Sequence, residues 1–276
     1  MITYRAMLDV PTELVDHLAR LLSRSRRARG TRRGARVLSC RQQAVFALVW
    51  FRERRPITLT GKGFGISQAT AYRYLHEAID VLAGQAPELR EALERVAAEG
   101  WSHVILDGTV VDSDRVAARI TSIKGQVIDV WYSGKKHGFG GNVQAVIRPD
   151  GFPVWASEVE PGSTHDLTCA RDHALGSLYW AASQLGLPTL ADAGYDGTGI
   201  GVHTPIKRPA NATLGVDNRA YNQLLRGLRA QGERGFAMLT ERWRALQRVS
   251  LDPARIADIM KAALVLTHYQ HGYSTR

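Results

Sequence analysis

Three carboxylates stand in settings that suit chemistry: Asp107 in Ile105-Leu106-Asp107-Gly108-Thr109, Asp192 in Leu190-Ala191-Asp192-Ala193-Gly194-Tyr195, and Glu233 in Arg229-Ala230-Gln231-Gly232-Glu233-Arg234-Gly235. The two aspartates each follow an apolar, strand-like run, and the glutamate falls inside a long helical pattern. Each would be carried by a rigid element, as a metal site requires. Magnesium prefers hard oxygen donors. Two such cations about 3.5–4 Å apart can hold the attacking and leaving oxygens of one phosphorus, and a few fixed carboxylates suffice to place them. The pattern therefore predicts metal-dependent phosphoryl transfer, with Asp107, Asp192 and Glu233 as the metal ligands. Each acid alone reads as an ordinary turn or helix-surface residue, because Asp-Gly is a common turn dipeptide. Together, behind apolar strands where an isolated carboxylate is costly, they read as a cation site.

Asp166 is the rival second ligand. It follows Pro161-Gly162-Ser163-Thr164-His165 and is expected near the start of a helix, where unpaired N–H groups favour a carboxylate. Asp166 and His165 are thus accessory candidates, capping that helix or supporting the site. His137 and His165 lack the spacing of a zinc hydrolase.

The elements that must position these acids begin near residue 103. Residues 103–111 read as the strand carrying Asp107. Residues 117–123 and 126–132 read as a strand pair, and 142–147 and 152–158 as another, joined by Pro149-Asp150-Gly151. A helix is predicted from Thr164 to Leu185, then a buried strand at 188–191, a strand at 202–206, and helices at 218–246 and 253–269. Strands mixed with helices imply an α/β layer fold. Two basic loops, Lys135-Lys136 between glycines and Lys207-Arg208 before Pro209, are expected to meet phosphates.

Upstream the pattern is helical. Residues 20–36 hold eight arginines, among them Arg26, Arg27, Arg29, Arg32 and Arg33, with no acid, and read as a mobile basic arm that forms no core. A helix runs from Ser39 to Pro56, which ends it. After a glycine-rich connection at 61–66, Ser67 caps a second helix through Leu82. This is a helix-turn-helix pattern in which Ser67, Gln68, Thr70 and Arg73 on the first turn are best placed to meet DNA. Residues 84–100 read as a polar connector. The segments expected are 1–37 (helix and arginine-rich arm), 38–100 (helix-turn-helix and connector) and 101–276 (catalytic).

Composition favours a nucleic-acid partner: 36 Lys and Arg against 26 Asp and Glu leave a formal charge of +10 over 276 residues, and a basic field attracts phosphate backbones. Only Cys40 and Cys169 occur, without the paired spacing of a disulfide framework or zinc site. A reducing cytoplasm, in association with the nucleoid, is the expected location. No apolar run approaches the roughly 18 residues of a membrane span.

Five blocks in order, Asp107-Gly108-Thr109, Tyr132-Ser133-Gly134-Lys135-Lys136-His137, Glu160-Pro161-Gly162-Ser163-Thr164-His165-Asp166, Ala191-Asp192-Ala193-Gly194-Tyr195 and Arg229-x-x-x-Glu233, resemble the acid-triad (DDE) transposases of the IS5 and PIF/Harbinger type. The resemblance implies a ribonuclease-H-like mixed sheet flanked by helices, behind an N-terminal all-α helix-turn-helix domain. It implies two Mg²⁺ ions per site, with Mn²⁺ as a substitute, and Asp107, Asp192 and Glu233 as ligands. It further implies hydrolysis of a phosphodiester at an element's end, attack of the freed 3′-hydroxyl on target DNA, Arg229 at the DNA, and a homodimer or larger assembly on double-stranded DNA. The chain departs from the family at Arg226, where a tyrosine is expected, and at Thr240, where a lysine is expected. Two other readings follow from the same blocks: a transposase-derived regulator that binds DNA without strand transfer, and a metal-dependent nuclease.

Overall fold

The computed structural model describes residues 7–32, 34–121 and 125–273. Its residues fall into two compact units. One takes the chain up to Ala86 together with Thr240–Gln247 and the residues from Asp258 onward; the other takes Pro87–Leu239 and Arg248–Ala257. The C-terminal part of the chain is thus shared between the two units.

The first unit is helical: α1 (Thr12–Ala28), α2 (Cys40–Glu53), α3 (Ile57–Gly63) and α4 (Gln68–Ala83). Leu14, Val15, Leu18, Leu21 and Leu22 of α1 are buried, a spacing that makes one apolar helical stripe. The expectation of a mobile, coreless arm fails for residues 20–28. Its arginines obscured the leucines at positions 21 and 22, which bury the last turns of α1. Arg26 donates to Leu38 O (3.1 Å) and to Gln43 Oε1, and Arg29 and Arg36 pair with Glu77. Arg27 and Arg32 are exposed, and Arg33 lies outside the described residues.

A capping box of Ser39 and Gln42 starts α2. The glycine-rich stretch read as a connection is partly helical, being the end of α3, so the module has three helices. Gly61 lies there because α3 and α4 touch: a Cβ at that position would sit 2.8 Å from the Ala71 Cβ. Gly65 turns the chain at φ +67°, a conformation glycine adopts freely. Ser67 then caps α4, its hydroxyl accepting from Thr70 N–H at 3.3 Å. Trp243, just past the Glu233-bearing helix, is fully buried in this unit and donates to Thr267 Oγ1 at 2.8 Å.

The second unit opens with α5 (Leu89–Ala98), which buries Leu89, Ala92, Leu93 and Val96; the connector expected to be polar has an apolar face in the core. Then come β1 (Val104–Asp112), β2 (Arg119–Thr121), β3 (Val127–Asp129), β4 (Tyr132–Ser133), β5 (Gly138–Ile147) and β6 (Pro153–Pro161). They are followed by α6 (Asp166–His173), α7 (Leu175–Gln184), β7 (Thr189–Leu190), β8 (Val202–His203), α8 (Val216–Arg229) and α9 (Gly232–Arg242), and the chain returns to the first unit with α10 (Ile256–Gln270), which belongs there from Asp258 onward. Two helices predicted as continuous are broken. One breaks at Ala174 (φ −128°); the other breaks after Arg229, so Arg229 ends α8 while Glu233 sits in the first turn of α9.

The main sheet runs β6-β5-β1-β7-β8, with β4 extending the β5 edge, and β2–β3 form a separate ribbon. β6, β5 and β1 are antiparallel; β1, β7 and β8 are parallel. This mixed sheet with its flanking helices is the ribonuclease-H-like α/β arrangement the sequence resemblance implies. Val104, Ile105, Leu106, Val143, Val146 and Ile147 are buried, as strands covered on both faces require. No helix among the described residues is long and apolar enough to cross a membrane.

Candidate active site

In the parallel pair, Ile105 of β1 stands opposite Leu190 of β7. Carried two residues forward, that register sets Asp107 level with Asp192, where β7 has ended. Asp192 starts a 3-10 turn, Ala193–Tyr195, and its Oδ1 accepts from Gly194 N–H at 2.7 Å. Asp192 thus lies just past the carboxyl end of β7, level with Asp107 in the middle of β1, and the carboxyl ends of parallel strands are where open α/β sheets hold ligands.

Helix α9 lies directly on these strands. A Cβ at Gly232 would come 2.9 Å from Ile105 Cγ2, and one at Gly235 would come 2.7 Å from Ile147 Cδ1; Ile147 is the β5 partner of Ile105. Alternate residues of a strand share a face, so Asp107 points to the side covered by α9. Glu233 is exposed in the first turn of that helix. Among the described residues, no group of three or more His, Cys, Asp or Glu side chains is arranged to hold a metal ion.

The opposite face carries a buried polar chain. Tyr195 OH donates to Gln144 Oε1, Gln144 Nε2 to Asn142 Oδ1 (2.9 Å), and Asn142 Nδ2 to Asp166 Oδ1 (2.7 Å) and Thr164 O (3.1 Å). Lys135 Nζ closes it on Asp166 Oδ2 at 3.0 Å. Asp166 begins α6 without capping it, because its oxygens are taken by Asn142 and Lys135. Gly108 makes room: a Cβ there would lie 2.6 Å from Gln144 Nε2, 2.7 Å from Tyr195 OH and 2.9 Å from Asp166 Oδ1.

Electrostatics single out Asp107. Burial above all, helped by the Asp192 and Asp166 charges, pushes its carboxyl up to about 6 against the pull of the Gly108 N–H and Arg229. Burial, then the charges of Asp166, Asp107 and Asp192, hold the Tyr195 phenol protonated far above its ordinary range. The hydrogen bond to Asp166 raises the Lys135 ammonium. The Nε of Arg229 is buried and, among the described residues, lacks a hydrogen-bond partner.

The basic loops are engaged. Lys136 pairs with Asp112 (2.6 Å) and donates to Val110 O (2.6 Å); Lys207 pairs with Asp196 (2.9 Å); Arg208 donates to Ala212 O (3.0 Å). Lys135, Lys136, Thr164, the exposed His165 and Asp166 line a cleft of about 850 Å³ on the Gly108 side of the sheet. Asp107 is absent from that lining, so this cleft and Asp107 lie on different faces of the sheet. In the helical unit, Ser67, Gln68 and Arg73 are exposed on the start of α4, and Arg73 donates to Thr70 Oγ1 at 3.1 Å. Sequence reasoning missed Asn142 and Gln144; the available signal was two polar residues two apart in an otherwise apolar strand.

Residues 36–88 match the helix-turn-helix of DDE superfamily endonucleases, and residues 106–268 match the DDE superfamily endonuclease itself. No significant match was found among curated proteins or solved structures. The first match covers α2, α3 and α4, and the second runs from Leu106 in β1 through all the later strands, takes in Asp107, Asp166, Asp192 and Glu233, and covers more than half of the chain. The chain therefore belongs to the DDE superfamily endonucleases.

Proposed function

We propose that this protein is a DNA transposase of the IS5 or PIF/Harbinger kind, which cuts phosphodiesters at element ends and joins the freed 3′-hydroxyl to target DNA. The observation that carries the reading is the juxtaposition of Asp107 and Asp192 just past the β1–β7 pairing, with Asp107 under-compensated. The donor set fits a divalent cation: it is all oxygen, and the charges of Asp192 and Asp166 help push up the Asp107 pKa, a cost a bound cation removes. Asp107 and Asp192 would hold Mg²⁺ or Mn²⁺, with Glu233 supplied by α9. When bound, two such ions would neutralise charge on the reacting phosphate and activate the attacking oxygen.

The chain's own residues do the rest. The Arg229 charge offsets part of the cost that burial and the neighbouring acids impose on ionised Asp107. Arg229 has an unused buried Nε–H for a phosphate oxygen. Lys135, Lys136, Lys207, Arg208 and the exposed Arg27 and Arg32 offer cations along the backbone of DNA, and Ser67, Gln68, Thr70 and Arg73 of the helix-turn-helix meet bases or phosphates. Two ends must be processed together, so the working form is a dimer or larger assembly on double-stranded DNA, in association with the nucleoid.

Incubation of the full chain with labelled element ends and Mg²⁺ tests this: metal-dependent nicking followed by joining to a second duplex is expected. Binding without nicking would sink it in favour of a transposase-derived regulator. Nicking without joining would leave a metal-dependent nuclease.

A further inference from the structure

Resting on the cation role just proposed for Asp192, we infer that the buried chain Tyr195–Gln144–Asn142–Asp166 is a positioning device that fixes the Asp192 carboxylate beside Asp107. Asp192 has no strand to hold it, because β7 ends at Leu190. It sits in a turn tied at one end by its own hydrogen bond to Gly194 N–H. Three residues on, Tyr195 anchors the other end. That side chain is 1% exposed and its hydroxyl is spent on Gln144, itself 0% exposed.

The direction of the hydrogen bonds matters. Tyr195, Gln144 and Asn142 each donate toward the next group, and the series ends on the Asp166 carboxylate, which Lys135 neutralises from the open side. A phenol donating into such a series has one satisfied orientation, so the turn has one place to rest. The strand cooperates: β5 meets a bulge at this point, and the Gln144 N–H, left out of the ladder, donates to Ser157 Oγ at 2.9 Å. Gly108, adjacent to Asp107, leaves the space that the chain fills. One series of bonds therefore ties the Asp192 turn to β5 and to α6, and the same side chains pack against the strand of Asp107 at Gly108. Tyr195 and Gln144 touch no substrate in this account; they act through Asp192.

The test is direct Mn²⁺ titration of the full chain, read by calorimetry or by the electron-spin signal of free Mn²⁺, alongside single-turnover cleavage and DNA affinity. Tyr195→Phe removes the bond and almost no volume. Mn²⁺ affinity should fall about 10–100-fold, the range for partners that orient metal ligands, with DNA affinity unchanged and cleavage recovering as Mn²⁺ is raised. Gln144→Met cuts the same link from the other side and serves if Tyr195→Phe does not fold. The double variant should lose no more than either single one, because both break one series. Wild-type Mn²⁺ affinity in a folded single variant, or losses that add in the double variant, would overturn the inference alone. A wild-type chain with no affinity for Mn²⁺ would overturn it together with the proposed function.

Discussion

Glu77 of α4 and Asp107 of β1 are both carboxylates withdrawn from water, and the chain treats them in opposite ways. Glu77 is 7% exposed. Arg29 and Arg36 pair with it, and Gln43 Nε2 donates to its Oε2 at 3.1 Å, so its charge is answered several times over. Asp107 receives the adjacent Gly108 N–H at 3.1 Å and the field of Arg229, while two further acids press on it, and its carboxyl rises to about 6. A surrounded charge of the first kind holds helices together. A charge left short on a central strand marks a place where a cation or substrate completes the arrangement.

The comparison breaks first at the chemistry. Asp192→Asn should lower cleavage about 1,000-fold or more, which corresponds to roughly 4 kcal/mol of transition-state stabilisation, while binding of element-end DNA persists; retained cleavage would refute the assignment. Glu77→Ala should be a stability variant, losing about 3 kcal/mol as a broken buried pair leaves its cations unanswered, read by urea unfolding. If instead it abolished cleavage in folded protein, the contrast between the two acids would be lost.

Asp107→Asn sharpens the contrast through pH. A carboxyl near 3.8 when unfolded and about 6 when folded takes up its proton more readily in the native state. The stability linked to it is therefore full below pH 3.8, falls across that interval and is gone above about 6. Asp107→Asn should thus be more stable than wild type at pH 7 by about 1–3 kcal/mol, with the gain shrinking toward zero as pH approaches 4. Melting temperatures of both proteins from pH 4 to 8 would show it, and a pH-independent difference would contradict it. The smallest effect belongs to Arg36→Ala. It sits 3.6 Å from Glu77, and with Arg29 still in place its loss should cost below about 1 kcal/mol, as for partly exposed pairs.

What was legible in the sequence follows the same division. Strand periodicity located Asp107 and Asp192, since apolar runs before an acid leave little ambiguity, and Ser67 declared the start of α4 by its capping chemistry. Gly61 misled, because a glycine needed for helix contact looks like a glycine needed for a turn. The arginines after residue 19 misled by number, since net charge hid two leucines of the buried stripe. The break between α8 and α9 left no sign in hydrophobic spacing, and Arg229 and Glu233, four apart, looked like neighbours on one helix. The Gln144–Tyr195 link could not be read at all, because it joins residues 51 apart through a pairing that only the folded sheet creates.

Gly232 and Gly235 carry a consequence for how this protein tolerates change. Both occupy the contact between α9 and the strands, where even one added carbon would collide with Ile105 or Ile147. Any larger residue lifts the helix, and the glutamate between them travels with it. A saturation library selected for DNA cutting should consequently find these two positions nearly as intolerant as the acids, although neither possesses a functional group.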